Sequence, residues 1–407
     1  CLKLIFSFWF YYLKIIPMDD MKVYNRAFIS TCIAISIPFF VWGNTISHLP
    51  WIASKINMSH STIGYFFMIF AIINLLTSQV VGRYIAPVIG SRNTLTIGAI
   101  IFSPSPYFFG FSNSVPFFLL SAIPCGIGIG FLWSTATAVT NLIEDKTNRI
   151  LQTYLSAFFS LGFLFGGLCS GIIQRYQFDT YNLFSLLIII AIISPIFVFY
   201  LGLSKSKDNI QKTEKFSIPE KDILIYGLYL FIFFGSIGAI SDWSPLWFKN
   251  ELLTSSTLAS LTIVAWGSGE TIGKFLGSSL IKKTNERIIG GYLSFFGCSI
   301  YLIIVFFGDP YLILIGLFLI GFCSANFVPV LFRLGLKNTK ENVNTTSANI
   351  STIGFFGFLV VPALIGYSAE INSIGFNVKL ISVVWLVNFI FFLYTTRVNL
   401  SQAIKNT

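Results

Sequence analysis

Glu270 and Lys274 stand four residues apart in Trp266-Gly-Ser-Gly-Glu270-Thr-Ile-Gly-Lys274. On a helix that spacing puts an acid and a base on one face. Two chemistries follow. The pair can neutralise itself, or Glu270 can accept a proton while Lys274 moves between partners. Asp242, in Ile240-Ser-Asp-Trp243-Ser, is a second isolated acid in apolar surroundings. It can carry a proton or hold a cargo, or it can be a hydrogen-bonded acid that fixes a helix end. His48 could titrate near neutrality or serve as an interfacial hydrogen-bonder. Asn326 is followed by Pro329, and an amide in apolar surroundings needs a partner while a proline frees a backbone carbonyl. Trp133 offers a flat face on which a sugar or aromatic cargo could stack, or it simply packs.

Other chemistries are poorly supported. The six cysteines show no Cys-x-x-Cys or metal spacing, and there are only two histidines, His48 and His60, so no metal site and no cofactor is expected. Gly126-x-Gly128-x-Gly130 has the wrong spacing for a dinucleotide loop and reads as a close helix contact. No nucleophile–base or paired-acid arrangement points to an enzyme.

These residues are carried by apolar segments. Hydrophobic residues make up 55% of the 407, charged residues 10%, and the mean hydropathy is +0.79. About 20 consecutive apolar residues span a bilayer core, and twelve such runs lie between residues 27 and 396. The net charge of +10 does not form a nucleic-acid patch. With the first run starting inside, 19 lysines and arginines fall on the inner side and four (Lys55, Arg175, Lys249 and Lys379) on the outer side, leaving aside Lys3, Lys14 and Lys274. The positive-inside rule then places both termini in the cytoplasm.

The polar stretch 204–222 separates six runs from six, which predicts bundles at 22–203 and 223–407 joined by a cytoplasmic linker. Residues 1–21 read as an extension, with the native start expected at Met18 or Met21. The halves echo at an offset of 191 to 195 residues: Gly82-Arg83 with Gly273-Lys274, and Ser160-Leu-Gly162-Phe163 with Thr352-Ile-Gly354-Phe355. Such duplication suits a carrier with its site between the halves.

With its twelve segments, this echo, and strings such as Leu49-Pro50-Trp51-Ile52 and Ala239-Ile-Ser-Asp242-Trp243-Ser244, the chain resembles the major facilitator superfamily. It is most similar there to a bacterial subgroup related to fucose permease. The resemblance implies an all-α membrane protein of twelve transmembrane helices in two pseudo-symmetric six-helix bundles. It places Asn44, Trp133, Thr137, Asp242, Trp243 and Asn326 at the substrate, and His48 and Asp242 in proton coupling; Glu270 departs from the subgroup pattern and joins the proton-coupling candidates on its spacing from Lys274 alone. Arg83, Arg92, Lys274 and Arg333 fall at gating positions. The chain departs from the family after the second segment: Gly82-Arg-Tyr-Ile-Ala-Pro-Val-Ile-Gly90-Ser-Arg92 lacks the usual acid and is one residue longer. The expected function is secondary active transport of a small solute, a sugar or related polar metabolite, by alternating access. It would be coupled to protons and work as a monomer in the bilayer of the bacterial inner membrane. Export of hydrophobic or drug-like compounds is the alternative.

Overall fold

A backbone that crosses lipid must satisfy its own hydrogen bonds, and here helices do so: no strand occurs among the described residues. The structure, a computed structural model, describes residues 19–203, 208, 221–337 and 343–405. Most of the expected extension and of the expected linker therefore lies outside the described residues. Asp19 to Met21 already belong to the first helix, and Lys221 begins the seventh.

Twelve helical segments follow one another with short connections: α1 (Asp19–Lys55), α2 (His60–Ile89), α3 (Ser91–Phe111), α4 (Val115–Thr147), α5 (Gln152–Arg175), α6 (Thr180–Leu201), α7 (Lys221–Asn250), α8 (Ser256–Lys283), α9 (Arg287–Phe307), α10 (Pro310–Lys337), α11 (Val343–Ile371) and α12 (Ile374–Lys405). Among the described residues, eleven helices are long and apolar enough to cross a bilayer. The helix that falls short is α8, diluted by serines, threonines, glycines, Glu270 and Lys274. So polar a helix needs protein rather than lipid around it, and α8 packs against α5 and α10.

The basic loops lie at one end of the bundle, called here the basic face, and the other connections at the far face. Val81–Ile85 forms a π-turn, in which each hydrogen bond encloses one more residue than in an α-helix. A second π-turn, Arg287–Tyr292, opens α9. At the far face Asp309 accepts from the backbone N–H groups of Tyr311 and Leu312, each at 2.9 Å, and so caps α10.

The two sets of six helices repeat the same packing. In the first, α1 meets α5 so closely that a Cβ on Gly166 would lie 2.4 Å from the Phe40 carbonyl oxygen. In the second, α7 meets α11, and a Cβ on Gly357 would lie 2.1 Å from the Phe231 carbonyl oxygen. Small residues let membrane helices reach such separations. Between the sets run two seams, α2 against α11 and α5 against α8. The internal echo exchanges one seam with the other.

Gly357→Val should therefore cost about 1–3 kcal/mol or more of stability, as overpacking does, and lower the unfolding temperature in detergent. Gly82→Ala, whose Cβ would meet nothing within 4 Å, should leave it unchanged or slightly raised. Thermal denaturation of the two purified variants checks the contrast.

Candidate functional site

The densest set of charged contacts in the membrane region lies on the α5–α8 seam. Glu270 and Lys274 form an ion pair at 2.9 Å, with Glu270 buried and Lys274 partly so. The pair does more than neutralise itself. Ser160 of α5 donates its hydroxyl to Glu270 Oε2 at 2.8 Å, and Lys274 Nζ donates to the same Ser160 Oγ at 2.9 Å. Lys274 also reaches the Ser156 carbonyl oxygen at 3.3 Å and stands 4.9 Å from the centre of the Phe159 ring. One fully buried serine thus joins an acid and a base of the other half.

The geometry follows from the sequence. Ser156 and Ser160 are one turn apart on α5, as Glu270 and Lys274 are on α8. Gly267 of α8, where a Cβ would lie 3.1 Å from Leu164, lets the helices approach just beside the ion pair. A charge at such depth costs several kcal/mol unless it is paired and hydrogen-bonded, and Ser160 completes that satisfaction.

Around this pair stands an aromatic group. Phe159 packs edge-on against Phe39 at 4.1 Å and against Trp133 at 5.8 Å, so α1, α4 and α5 meet beside Lys274. Trp133 remains partly accessible. Thr137, one turn further along α4, has its backbone carbonyl taken by the Gln152 side chain at 2.8 Å.

Asp242 lies on α7 in a separate polar group. Its carboxylate accepts from Ser241 Oγ at 3.3 Å, and the Trp42 side chain of α1 lies close by. It keeps some accessible surface although protein packs around it. Pro245, three residues on, has no N–H for the Ser241 carbonyl beside it. Trp243 is fully buried and reaches across to α2, with ring centres 6.4 Å from His60 and 6.1 Å from Phe67.

His48 and Asn44 are buried, at 1% and 0% exposure, towards the far-face end of α1. His48 Nδ1 is 3.1 Å from the Asn44 carbonyl oxygen and 2.8 Å from Ser170 Oγ. A carbonyl oxygen can only accept, so this contact favours the hydrogen on Nδ1 and leaves Nε2 bare. Ser260 of α8 joins the group through Gln174 at 3.0 Å, making a second polar crossing of the seam. Asn326 is placed elsewhere. At the break in α10 it donates to the Gly273 carbonyl of α8 at 2.9 Å, inside the second half.

The remaining cationic positions lie near the basic face. Arg92 stacks 4.6 Å from the centre of the Phe199 ring, and Asp208 accepts from the neighbouring Ser91 N–H at the start of α3. Arg83, in the π-turn, makes no ion pair among the described residues, and its Nε has no partner there. Arg333 pairs with Glu286 at 3.3 Å, and Lys337 with the same carboxylate at 2.6 Å. The Lys337 hydrogen bond, helped by both nearby cations, holds the Glu286 carboxyl below its usual range.

Ser160, Trp42 and Gln79 were not singled out from the sequence, although Ser160 begins one of the echoed strings. The echo also exposes an asymmetry. The offset that aligns Lys274 with Arg83 aligns Glu270 with Gln79, and Ser160 aligns with Thr352. Gln79 Nε2 donates to Thr352 Oγ1 at 3.3 Å across the α2–α11 seam. The two seams carry equivalent ties, one able to ionise and one not.

Two outcomes follow. Lys274→Met leaves a buried carboxylate unpaired and should cost about 3–5 kcal/mol, whereas the double variant Glu270→Gln/Lys274→Met should melt closer to the unsubstituted protein. Glu286→Gln should cost about 1 kcal/mol or less, as exposed pairs do. Since the folded carboxyl is the more acidic form, that contribution is present at neutral pH and lost as the pH falls through the lowered value. The gap in melting temperature should narrow as the pH falls below the ordinary glutamate range.

The comparisons agree with this architecture. A family model for the Major Facilitator Superfamily matches residues 31–362. An uncharacterised MFS-type transporter of Yersinia pestis is 22% identical over 372 residues, covering 87% of this chain and 94% of that protein. Multidrug resistance protein 2 of Bacillus subtilis is 30% identical over 172 residues, 42% of this chain and 43% of that one. A protein provisionally named a glucose/galactose transporter in Helicobacter pylori is 26% identical over 289 residues, 65% and 68% of the two chains. Among solved structures, the nucleoside transporter NupG superposes with a TM-score of 0.67 at 12% identity, over 91% of this chain and 98% of that one. The chain belongs to the major facilitator superfamily, a multi-pass membrane protein that moves solutes across the bilayer.

Proposed function

We propose that this chain is a proton-coupled carrier of a small polar solute, with a sugar as the favoured class, working by alternating access. The observation that carries the reading is the tie of Glu270 and Lys274 to Ser160. A carboxylate that can take up a proton sits where the halves touch. With Glu270 ionised, its charge and that of Lys274 hold α8 to α5. Protonation removes the acceptor charge, frees Lys274 for another partner and loosens that seam. Asp242, with Trp42 close by across the α1–α7 contact, is a second titratable group between the halves, and His48, bonded to Ser170 of α5, a third near the seam.

In this reading residues 22–203 and 223–407 are the moving units, and the part-exposed face of Trp133 meets the solute, with Asn44, Thr137, Asp242 and Trp243 close to its path. Asn326 maintains the α8–α10 contact. Arg83, Arg92 and Arg333 steady the basic face, which the charge bias assigns to the cytoplasm of a bacterial cell, with both termini there. The sugar class draws support from the Helicobacter relative. Export of drug-like compounds draws support from the Bacillus relative, and a deletion strain that becomes drug-sensitive without losing hexose uptake would favour it.

In proteoliposomes loaded and assayed with radiolabelled hexoses, a pH gradient should drive accumulation that a protonophore abolishes. Glu270→Gln and Asp242→Asn should lose accumulation against a gradient, by about tenfold or more as for removal of a proton-transfer group. Glu270→Gln should keep solute exchange. Undiminished accumulation in both variants would overturn the coupling assignment.

A further inference from the structure

The far end of the α2–α11 seam carries an acid that the proposed coupling chemistry leaves unused. Glu370 lies in the last turn of α11, and its Oε1 accepts two hydrogen bonds from Ser61 of α2: the backbone N–H at 2.9 Å and the hydroxyl at 3.1 Å. Ser61 belongs to the first turn of α2, where backbone N–H groups have no helical partner and the helix dipole favours negative charge. Ser59, the N-cap, and His60 lie beside the same carboxylate. An acid from one half thus caps a helix of the other.

Directly beneath, no side chain separates the helices. A Cβ on Gly366 would lie 2.7 Å from the His60 carbonyl oxygen and 2.9 Å from the Gly64 Cα, and one on Gly64 would lie 2.9 Å from the Pro362 carbonyl oxygen. Trp243 closes the next layer against His60 and Phe67. Backbone contact of this kind is possible only while the far face is shut here. In the echoed seam the offset that aligns Ser160 with Thr352 leads from Glu370 to Phe178; its neighbour Asp179 caps α6 by accepting from the Tyr181 N–H, and the far end of α5–α8 is tied by the neutral Gln174 and Ser260.

We propose that Glu370 is the latch of the far-face gate, its carboxylate holding α11 to the N-terminal turn of α2 until that face opens. Each opening must break both bonds to Ser61 and part the Gly64–Gly366 contact, so the charge on Glu370 sets how often the far face opens. The assignment rests on the alternating-access reading but not on the proton or the solute.

It is tested without either. A reporter cysteine is placed at Ser241, a buried position beside Asp242 on α7. The protein, in lipid nanodiscs at neutral pH, is reacted with a bulky hydrophilic maleimide, and protein without the reporter gives the background. Glu370→Gln, which keeps the shape but not the charge, should raise the labelling rate about tenfold, the ratio for losing a charged hydrogen bond. Gly366→Ala, which wedges the helix contact, should raise it as well. Faster labelling in Gly366→Ala with no change in Glu370→Gln would overturn the latch, as would no change in either. Equal exposure of the buried Cys298 and Cys323 in Glu370→Gln would also overturn it, by showing general loosening. None of these outcomes depends on whether hexoses or protons are carried.

Discussion

A charge within the bilayer core must be matched, and the structure is arranged around the place where this chain puts two. Glu270 and Lys274 answer each other at 2.9 Å, and Ser160 answers both from the opposite half. In a medium of low effective dielectric such contacts are strong when complete and costly when broken. The consequence spreads outward. The helix whose apolar run falls short of a span, α8, is held between α5 and α10. Glycines along α5 and α8 bring the helices near enough for short side chains to meet. The aromatic group of Phe39, Trp133 and Phe159 then fills the space beside the cation.

Duplication makes a departure from symmetry informative. Gln79 and Thr352 repeat the positions of Glu270 and Ser160 and also touch, but an amide cannot change its charge. At the far face the roles are reversed: the α2–α11 seam has the acid, Glu370, and the α5–α8 seam has neutral partners. Among the described residues each seam therefore has an ionisable contact between the halves, at different depths. On the proposed cycle this separates two tasks, sensing the coupling proton at mid-membrane and holding the far face shut.

The architecture was largely legible in the sequence, because length, hydropathy and charge bias all report on the bilayer. Twelve runs became twelve helices. The echo of Gly82-Arg83 in Gly273-Lys274 pointed to equivalent places in the two halves. The site was less legible. The spacing of Glu270 and Lys274 announced a pair, but nothing in spacing alone shows that Ser160, 110 residues away, is shared by both. Nor does it show that Asn326 turns towards Gly273 or that His48 is buried. Those facts depend on how helices rotate and pack, which a nearly uniform apolar sequence encodes through small residues rather than through periodicity.

On the proposed cycle the proton state of Glu270 governs the α5–α8 seam. Spin labels at Tyr154 and Phe275, whose rings lie 6.0 Å apart across the basic end of that seam, report it by pulsed dipolar spectroscopy in nanodiscs across a pH series. The account predicts that the distances lengthen as the pH falls, and that Glu270→Gln holds the long, low-pH distribution at every pH. A Glu270→Gln variant that follows pH as the unsubstituted protein does would contradict it.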